Sequence, residues 1–339
     1  MNSKDYFSLK FEHDKLIFLD QTKLPIEEIY YTTSDYKRVA EAIERLEIRG
    51  APLIGIAAAY ALALSVKNVN KNSANDTFTS AFERLKNTRP TAVNLFFALN
   101  ELKKVFINSD TSNDIYNLLL NKAINIHNDD ILKCELIGKN GLKLFDKRST
   151  VLTHCNTGKL ATGGDGTALN IIKQAYKKGL VEFVYADETR PLLQGSRLTA
   201  FELEKEGIPF AVQTDSSAGS LFSASKIDLV IVGADRIATN GDTANKIGTY
   251  NLAVLCSFHN VPFYIAAPTT TIDKNIKTGN DIEIEYRKSE ELFNLTGHKI
   301  VQNKFKTYTP AFDVTPSKLI MGIITEKKIY KYSYNFNNE

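Results

Sequence analysis

The residues best placed for chemistry lie in one stretch, 228–250, which reads DLVIVGADRIATNGDTANKIGTY. Leu229-Val230-Ile231-Val232 is a short β-branched apolar run, the pattern of a buried strand in a parallel sheet. Gly233 and Ala234 punctuate it, and Asp235-Arg236 stands where the strand ends. Ligands of open α/β sheets bind outside the carboxyl ends of the strands, so Asp235 stands where chemistry is expected. On its own it would read as an ordinary loop aspartate. A polar loop follows, Asn240-Gly241-Asp242 and then Asn245-Lys246. That loop offers a carboxylate, an amide and an ammonium group, a set that suits a polyhydroxylated anion.

Two arginines suggest where an anion would sit. Arg49-Gly50-Ala51-Pro52 precedes an alanine-rich apolar helix, and Arg89-Pro90 opens another. Proline suits a first helical turn, and the N–H groups and dipole of a helix N-terminus attract anions. Either tetrapeptide alone is at least as well explained as a helix–helix turn with a surface arginine. Two in one helical domain strengthen the reading of a phosphate clamp. Thr150-Val151-Leu152-Thr153 is a further strand, followed by His154-Cys155-Asn156, a glycine-bearing loop through Gly163-Gly164-Asp165-Gly166, and a helix from Ala168. Strand, glycine loop and helix form a phosphate-cradling order. The glycine spacing matches neither the dinucleotide nor the P-loop pattern. A lone cysteine is usually a small core residue, but Cys155 has polar neighbours and stands at the expected ligand edge. Cys134 and Cys256 sit in apolar helical contexts and read as structural. In the loop Asp187–Arg197, Gln194 can reach a ligand hydroxyl, while Asp187, Glu188 and Arg190 read as an internal ion-pair network.

Elements must position these groups. The chain of 339 residues is long enough for two domains. Residues 7–24 alternate like a β-hairpin turning at His13-Asp14-Lys15. Asp35 can cap a helix running to Leu46. Residues 68–77 are Asn/Lys/Ser-rich and read as an exposed loop. A helix is expected over 115–145, broken near Asn128-Asp129-Asp130, where Asx residues can cap a second segment. The expected division is a mainly helical domain with a small β-hairpin over 1–128, and a Rossmann-like α/β domain with a parallel sheet over 129–339. The segment 310–316 reads as turn-rich, 281–291 as a charged surface stretch, and the tail from Lys327 as fraying. The formal charge of +3 is small and dispersed, so no nucleic-acid partner is indicated. No apolar run approaches the roughly 20 residues of a membrane span, and the first residues lack a signal-peptide core. Three dispersed cysteines suggest a reducing compartment, hence the cytoplasm, without disulfides. The histidines and cysteines match no metal-site spacing.

Taken in order, these stretches resemble one family, the methylthioribose-1-phosphate isomerases of methionine salvage, relatives of the alpha, beta and delta subunits of initiation factor 2B. The resemblance rests on Arg49–Pro52, Thr88–Leu95, Leu152–Asn156 with its glycine loop, Asp187–Ala200, Gly233–Thr249 and Pro310–Pro316. It implies that Cys155 and Asp235 perform the chemistry, and that Arg49, Gly50, Ala51, Arg89, Gln194, Asn245 and Lys246 surround the substrate. It also implies a homodimer acting on a small sugar phosphate, with no metal or nucleotide cofactor. The chain departs from the family pattern at Ser196 and Phe201, and in the loop at Lys159, Gly163 and Asp165. These departures leave 5-deoxyribose 1-phosphate and ribose 1,5-bisphosphate as alternative substrates. A non-catalytic regulatory subunit is the alternative of another class. The implied reaction opens an aldose ring whose C1 carries phosphate, so it needs a proton donor. An aspartate with an ordinary pKa of about 3.9 is ionised at neutral pH, so Asp235 in that role needs burial or a neighbouring anion.

Overall fold

A computed structural model describes residues 5–89, 92–109, 114–295, 298–302 and 304–337. Pro90 and Thr91 of the second arginine motif, part of the polar segment after Asn108, and the last two residues of the tail lie outside the described residues. Two compact units emerge: Met1–Glu135 with Thr157–Gly166, and Leu136–Asn156 with Thr167–Glu339.

The first unit begins with a three-stranded antiparallel sheet of β1 (Leu9–Glu12), β2 (Lys15–Leu19) and β3 (Tyr30–Thr33). The hairpin turns at His13 and Asp14, both left-handed at φ 51° and 58°, the pair of angles that matches strand twist in a two-residue turn. Helices α1 (Tyr36–Glu44), α2 (Ala51–Ser65), α3 (Lys71–Lys86), α4 (Val93–Asn108) and α5 (Ile115–Gly141) follow. Asp35 caps α1 by accepting from the Lys37 N–H at 2.8 Å. Helix α2 is buried from Leu53 to Ser65, as its all-round apolar sequence requires. Gly55 lets α4 approach it, because a Cβ there would stand 2.6 Å from the Asn94 carbonyl oxygen.

Two expectations fail here. Most of 68–77 is helical, because Asn70 accepts from the Ser73 N–H and Phe78, Ala81, Phe82 and Leu85 anchor α3 in the core. The long helix α5 does not break at Asn128. Asp130, buried within it, accepts from the Gly163 N–H at 2.7 Å, so a tertiary donor replaces the expected cap. Burial pushes the Asp130 carboxyl up to about 6. The Thr157–Gly166 loop is held further by Gln21 Nε2, which donates to the Leu160 carbonyl at 2.7 Å, and by Ser8 Oγ, which donates to that of Thr162.

In the second unit the strands are β4 (Ser149–Thr153), β5 (Val181–Asp187), β6 (Phe210–Gln213), β7 (Leu229–Val232), β8 (Arg236–Ala238), β9 (Thr243–Lys246), β10 (Phe263–Ala266), β11 (Ile272–Asp273), β12 (Asn294–Leu295), β13 (His298–Lys299), β14 (Phe312–Thr315), β15 (Gly322–Ile324) and β16 (Ile329–Lys331). Seven form the main sheet, in the order β16-β15-β10-β7-β4-β5-β6. All neighbours in it are parallel except β15 and β16. Its helices are α6 (Ala168–Lys177), α7 (Ala200–Glu206), α8 (Ala218–Ser223), α9 (Thr249–His259) and α10 (Ser289–Phe293). Val230 and Val232 enter one apolar cluster, Leu229 and Ile231 another. This two-sided burial explains the unbroken apolar run of β7.

The expected loop after Asp235 is instead a ribbon. Strands β11-β8-β9-β14 form a second sheet, and the supposedly turn-rich segment 310–316 supplies β14. Asp242 turns into the fold, accepting from Asn240 Nδ2 and from the N–H groups of Gly279 and Ser317. Burial pushes its carboxyl up, but these donors outweigh that and hold it below the usual range. Within the described residues the tail does not fray, since Phe336 is fully buried and Tyr334 Oη donates to the Ile320 carbonyl at 2.7 Å. The charged stretch 281–291 is partly internal, with Arg287 paired to Glu285 and Glu291. Cys134 and Cys256 are buried, and burial pushes both thiols up. Among the described residues no helix is long and apolar enough to cross a membrane.

Candidate active site

Strands β4 and β7 are neighbours, with Val151 opposite Leu229 and Leu152 opposite Val230. Because they run parallel, they deliver Cys155 and Asp235 to the same carboxyl edge of the sheet. Asp235 is half-buried. Its N–H donates to the Ala244 carbonyl at 2.9 Å, which ties it to the ribbon carrying Asn245 and Lys246.

Cys155 has a left-handed backbone, φ 60°, which costs a residue with a side chain about 1–3 kcal/mol. Both of its backbone groups are held by hydroxyls. Its N–H donates to Thr189 Oγ1 at 2.8 Å, and its carbonyl accepts from Thr199 Oγ1 at 2.5 Å. Thr189 and Leu193 are also left-handed, at φ 64° and 57°, so strained backbone gathers around this residue. The chain then forms a π-turn, Gly195–Thr199, a widening often found at functional sites. Gly195 is obligatory, as a Cβ there would lie 1.6 Å from the Asp187 carbonyl oxygen. Gln194, just before it, is 5% exposed, and its buried Oε1 has no hydrogen-bond partner among the described residues. A buried carbonyl left so is costly, and a substrate hydroxyl would satisfy it.

His154 is fully enclosed beside Cys155. Its Nδ1 meets Asp187 Oδ2 at 2.9 Å and its Nε2 meets the Ile247 carbonyl at 2.9 Å. Nε2 must therefore carry a proton, and Nδ1 and Asp187 share another. Burial works against the imidazolium, but the hydrogen bond and charge of Asp187, with Asp215 behind it, raise the His154 pKa above its ordinary value. Burial likewise raises that of Asp187. The expected ion-pair network is thus corrected: Asp187 bonds His154 and Gln213, while the Arg190 guanidinium donates to the carbonyls of Pro191 and Leu292. His154, Asp187 and Asp215 bring ligand-type atoms within 4.8 Å of one another. Those atoms are already engaged, the Asp215 oxygens by the N–H groups of Thr189 and Arg190. The cluster therefore reads as a structural network.

Asn245 is buried and donates to Thr249 Oγ1 at 2.8 Å. Lys246 Nζ lies 4.4 Å from the Phe312 ring centre. Asp313, on the partner strand β14, accepts from the N–H groups of Gly248 and Tyr250 and so fixes the start of α9. A cavity of about 230 Å³ is lined by Gln194 and Lys246 together with Leu192, Ile247, Leu292 and Tyr308.

In the first unit, Gly50 is the N-cap of α2 at φ 93° and leaves that terminus without a side-chain cap. Ala92 likewise leaves α4 uncapped. Gly55 and Asn94, in contact, bring these two helices together. The half-buried Arg49 precedes one helix and the half-buried Arg89 the other. Two uncapped helix N-termini with an arginine before each are the kind of place where an anion could bind, and Ala51 belongs to the first of them.

The sequence pattern of the initiation factor 2 subunit family matches residues 47–331. The chain belongs to this family. It is 52% identical over 323 residues to a methylthioribose-1-phosphate isomerase of Caldicellulosiruptor saccharolyticus, covering 94% of each chain. It is also similar to the crystal structure of 5-methylthioribose 1-phosphate isomerase from Pyrococcus horikoshii, at TM-score 0.91 and 39% identity, covering 99% of this chain and 95% of that one. A structure titled translation initiation factor eIF-2B, subunit delta, from A. fulgidus gives TM-score 0.86 at 36% identity, covering 97% and 96%. For this member of the initiation factor 2 subunit family, sequence reasoning missed Thr189, Thr199 and the His154–Asp187 pair. Nothing in their spacing announces them, since their partners lie on strands far apart in the chain.

Proposed function

We propose that this chain is an aldose–ketose isomerase, converting 5-methylthioribose 1-phosphate to 5-methylthioribulose 1-phosphate in methionine salvage. The likeness to isomerases over nearly the whole chain supports this. The observation that carries the chemistry is the shared sheet edge of Cys155 and Asp235. Asp235 gives its proton to the ring oxygen as the C1–O bond breaks. Hydrogen then passes from C2 to C1, and the C2 hydroxyl returns a proton to the Asp235 carboxylate, leaving the ketone and restoring the acid. Atoms and electrons balance within the sugar, so no external oxidant or reductant is needed. Cys155 assists the transfer. Gln194, Asn245 and Lys246 bind the sugar's polar groups, and Arg49, Gly50, Ala51 and Arg89 bind the phosphate. The working form is a homodimer in the cytoplasm, a reading that rests on the family resemblance. Turnover of methylthioribose 1-phosphate, 5-deoxyribose 1-phosphate and ribose 1,5-bisphosphate, measured side by side, tests the reading. The first should lead, and turnover of none would reject it.

A further inference from the structure

We infer that Thr189 and Thr199 are positioning residues that hold Cys155 in its left-handed conformation and so aim its thiol at the reacting carbons. The inference rests on the proposed role of Cys155.

Cys155 lies two residues beyond the end of β4, outside the sheet ladder, and both its N–H and its carbonyl are bonded elsewhere. The first donates to Thr189 Oγ1 at 2.8 Å, and the second accepts from Thr199 Oγ1 at 2.5 Å. Each hydroxyl also has a second contact. Thr189 Oγ1 donates to the Asp187 carbonyl at 3.0 Å, and Thr199 Oγ1 accepts from Asn156 Nδ2 at 3.4 Å. Asn156 Nδ2 donates as well to the buried Glu202 Oε1 at 2.7 Å, so the residue after Cys155 is fixed too. Both threonines belong to the segment that presents Gln194 to the cavity. One piece of chain thereby sets the cysteine and a substrate-binding amide together. The π-turn matters to this arrangement. It adds a residue to the turn that ends at Thr199, and without it that side chain would be rotated by about 100° around the helix axis. A left-handed backbone would ordinarily call for glycine or asparagine. Here the side chain must be a thiol, and the two hydroxyls stabilise what the sequence alone would disfavour.

The test is kinetic. Thr199→Val and Thr189→Val keep shape and remove the hydroxyl; Thr199→Ser and Thr189→Ser keep it. The Val variants should lose roughly 10²-fold in kcat, the scale of a misplaced reacting group, with KM changed less than about threefold. The Ser variants should restore most of the loss. Cys155 is itself buried, at 7% exposure against 2% and 1% for Cys134 and Cys256, so the rate of its slow alkylation, followed by intact mass and peptide mapping, should also change in the Val variants and return in the Ser variants. Should a Val variant fail to fold, the matching Ala variant, compared with Ser, carries the test. Val variants with wild-type kcat and wild-type alkylation, alongside an inactive Cys155→Ala, would overturn the inference. A fully active Cys155→Ala would instead remove the assumed role of Cys155 itself.

Discussion

His154 and Ile247 are joined by a 2.9 Å hydrogen bond from the Nε2–H to the backbone carbonyl. The end of the strand that leads to Cys155 is therefore tied to the turn that follows Lys246. Gly248 makes room for the ring, as a Cβ there would meet His154 Cε1 at 2.9 Å. His154→Ala should cost about 3–5 kcal/mol, because it leaves the buried Asp187 carboxylate without its main partner. Denaturant unfolding measures the loss, and the double variant with Asp187→Asn should recover part of it.

Asp235→Asn keeps size and polarity but removes the acid. Activity should fall by roughly 10²–10⁴-fold with substrate binding largely kept. Isothermal titration with the substrate, beside steady-state rates, checks both halves. Near-normal turnover would move the proton donor elsewhere.

The hydrogen should travel directly. Both ring nitrogens of His154 are engaged with Asp187 and Ile247, so this neighbour does not act as a base toward the Cys155 thiol. Substrate deuterated at C2 should give product with the label wholly retained at C1. Solvent hydrogen appearing there would establish proton abstraction instead.

Arg89→Lys and Arg49→Lys retain charge but lose the planar fork that matches phosphate oxygens. Each should raise KM about tenfold or more, corresponding to roughly 1.4 kcal/mol of lost binding. Unchanged KM and kcat in both would make the arginines structural.

Asp130 links acidity to stability. Its folded pKa of about 6 exceeds the unfolded value of 3.8. Its contribution is therefore fully present below the unfolded pKa and is lost as pH rises through the folded one. Asp130→Asn still offers an oxygen to the Gly163 N–H and does not ionise. It should be more stable than the parent above pH 6, by at most roughly 3 kcal/mol, with the difference fading toward pH 4. Thermal melts across that range decide it, and a constant offset would count against the assignment.

The parallel sheet was legible because β4 and β7 are short, apolar and bounded by polar turns. The placement of Cys155 and Asp235 just beyond the ends of those strands was legible for the same reason. Residues 71–77 were not, because their polar composition hides a helix whose large apolar anchors begin at Phe78, with only the small Ala74 buried before it. The β9–β14 pairing joins segments too distant for local pattern to connect. The buried tail failed for a related reason: Tyr334 and Phe336 find their core partners only in three dimensions. The threonine clamp on Cys155 depends on a π-turn, whose extra residue leaves no periodic mark.

The composition of the two units has a consequence for how such a protein can be rearranged. The chain passes from the first unit to the second after Glu135, returns for Thr157–Gly166, and leaves again. Neither unit is a continuous stretch, so no single cut releases either one whole. A gene fragment ending near residue 135 would lack the loop whose Gly163 N–H satisfies the buried Asp130. Neither unit can therefore be exchanged whole by a single crossover in the gene.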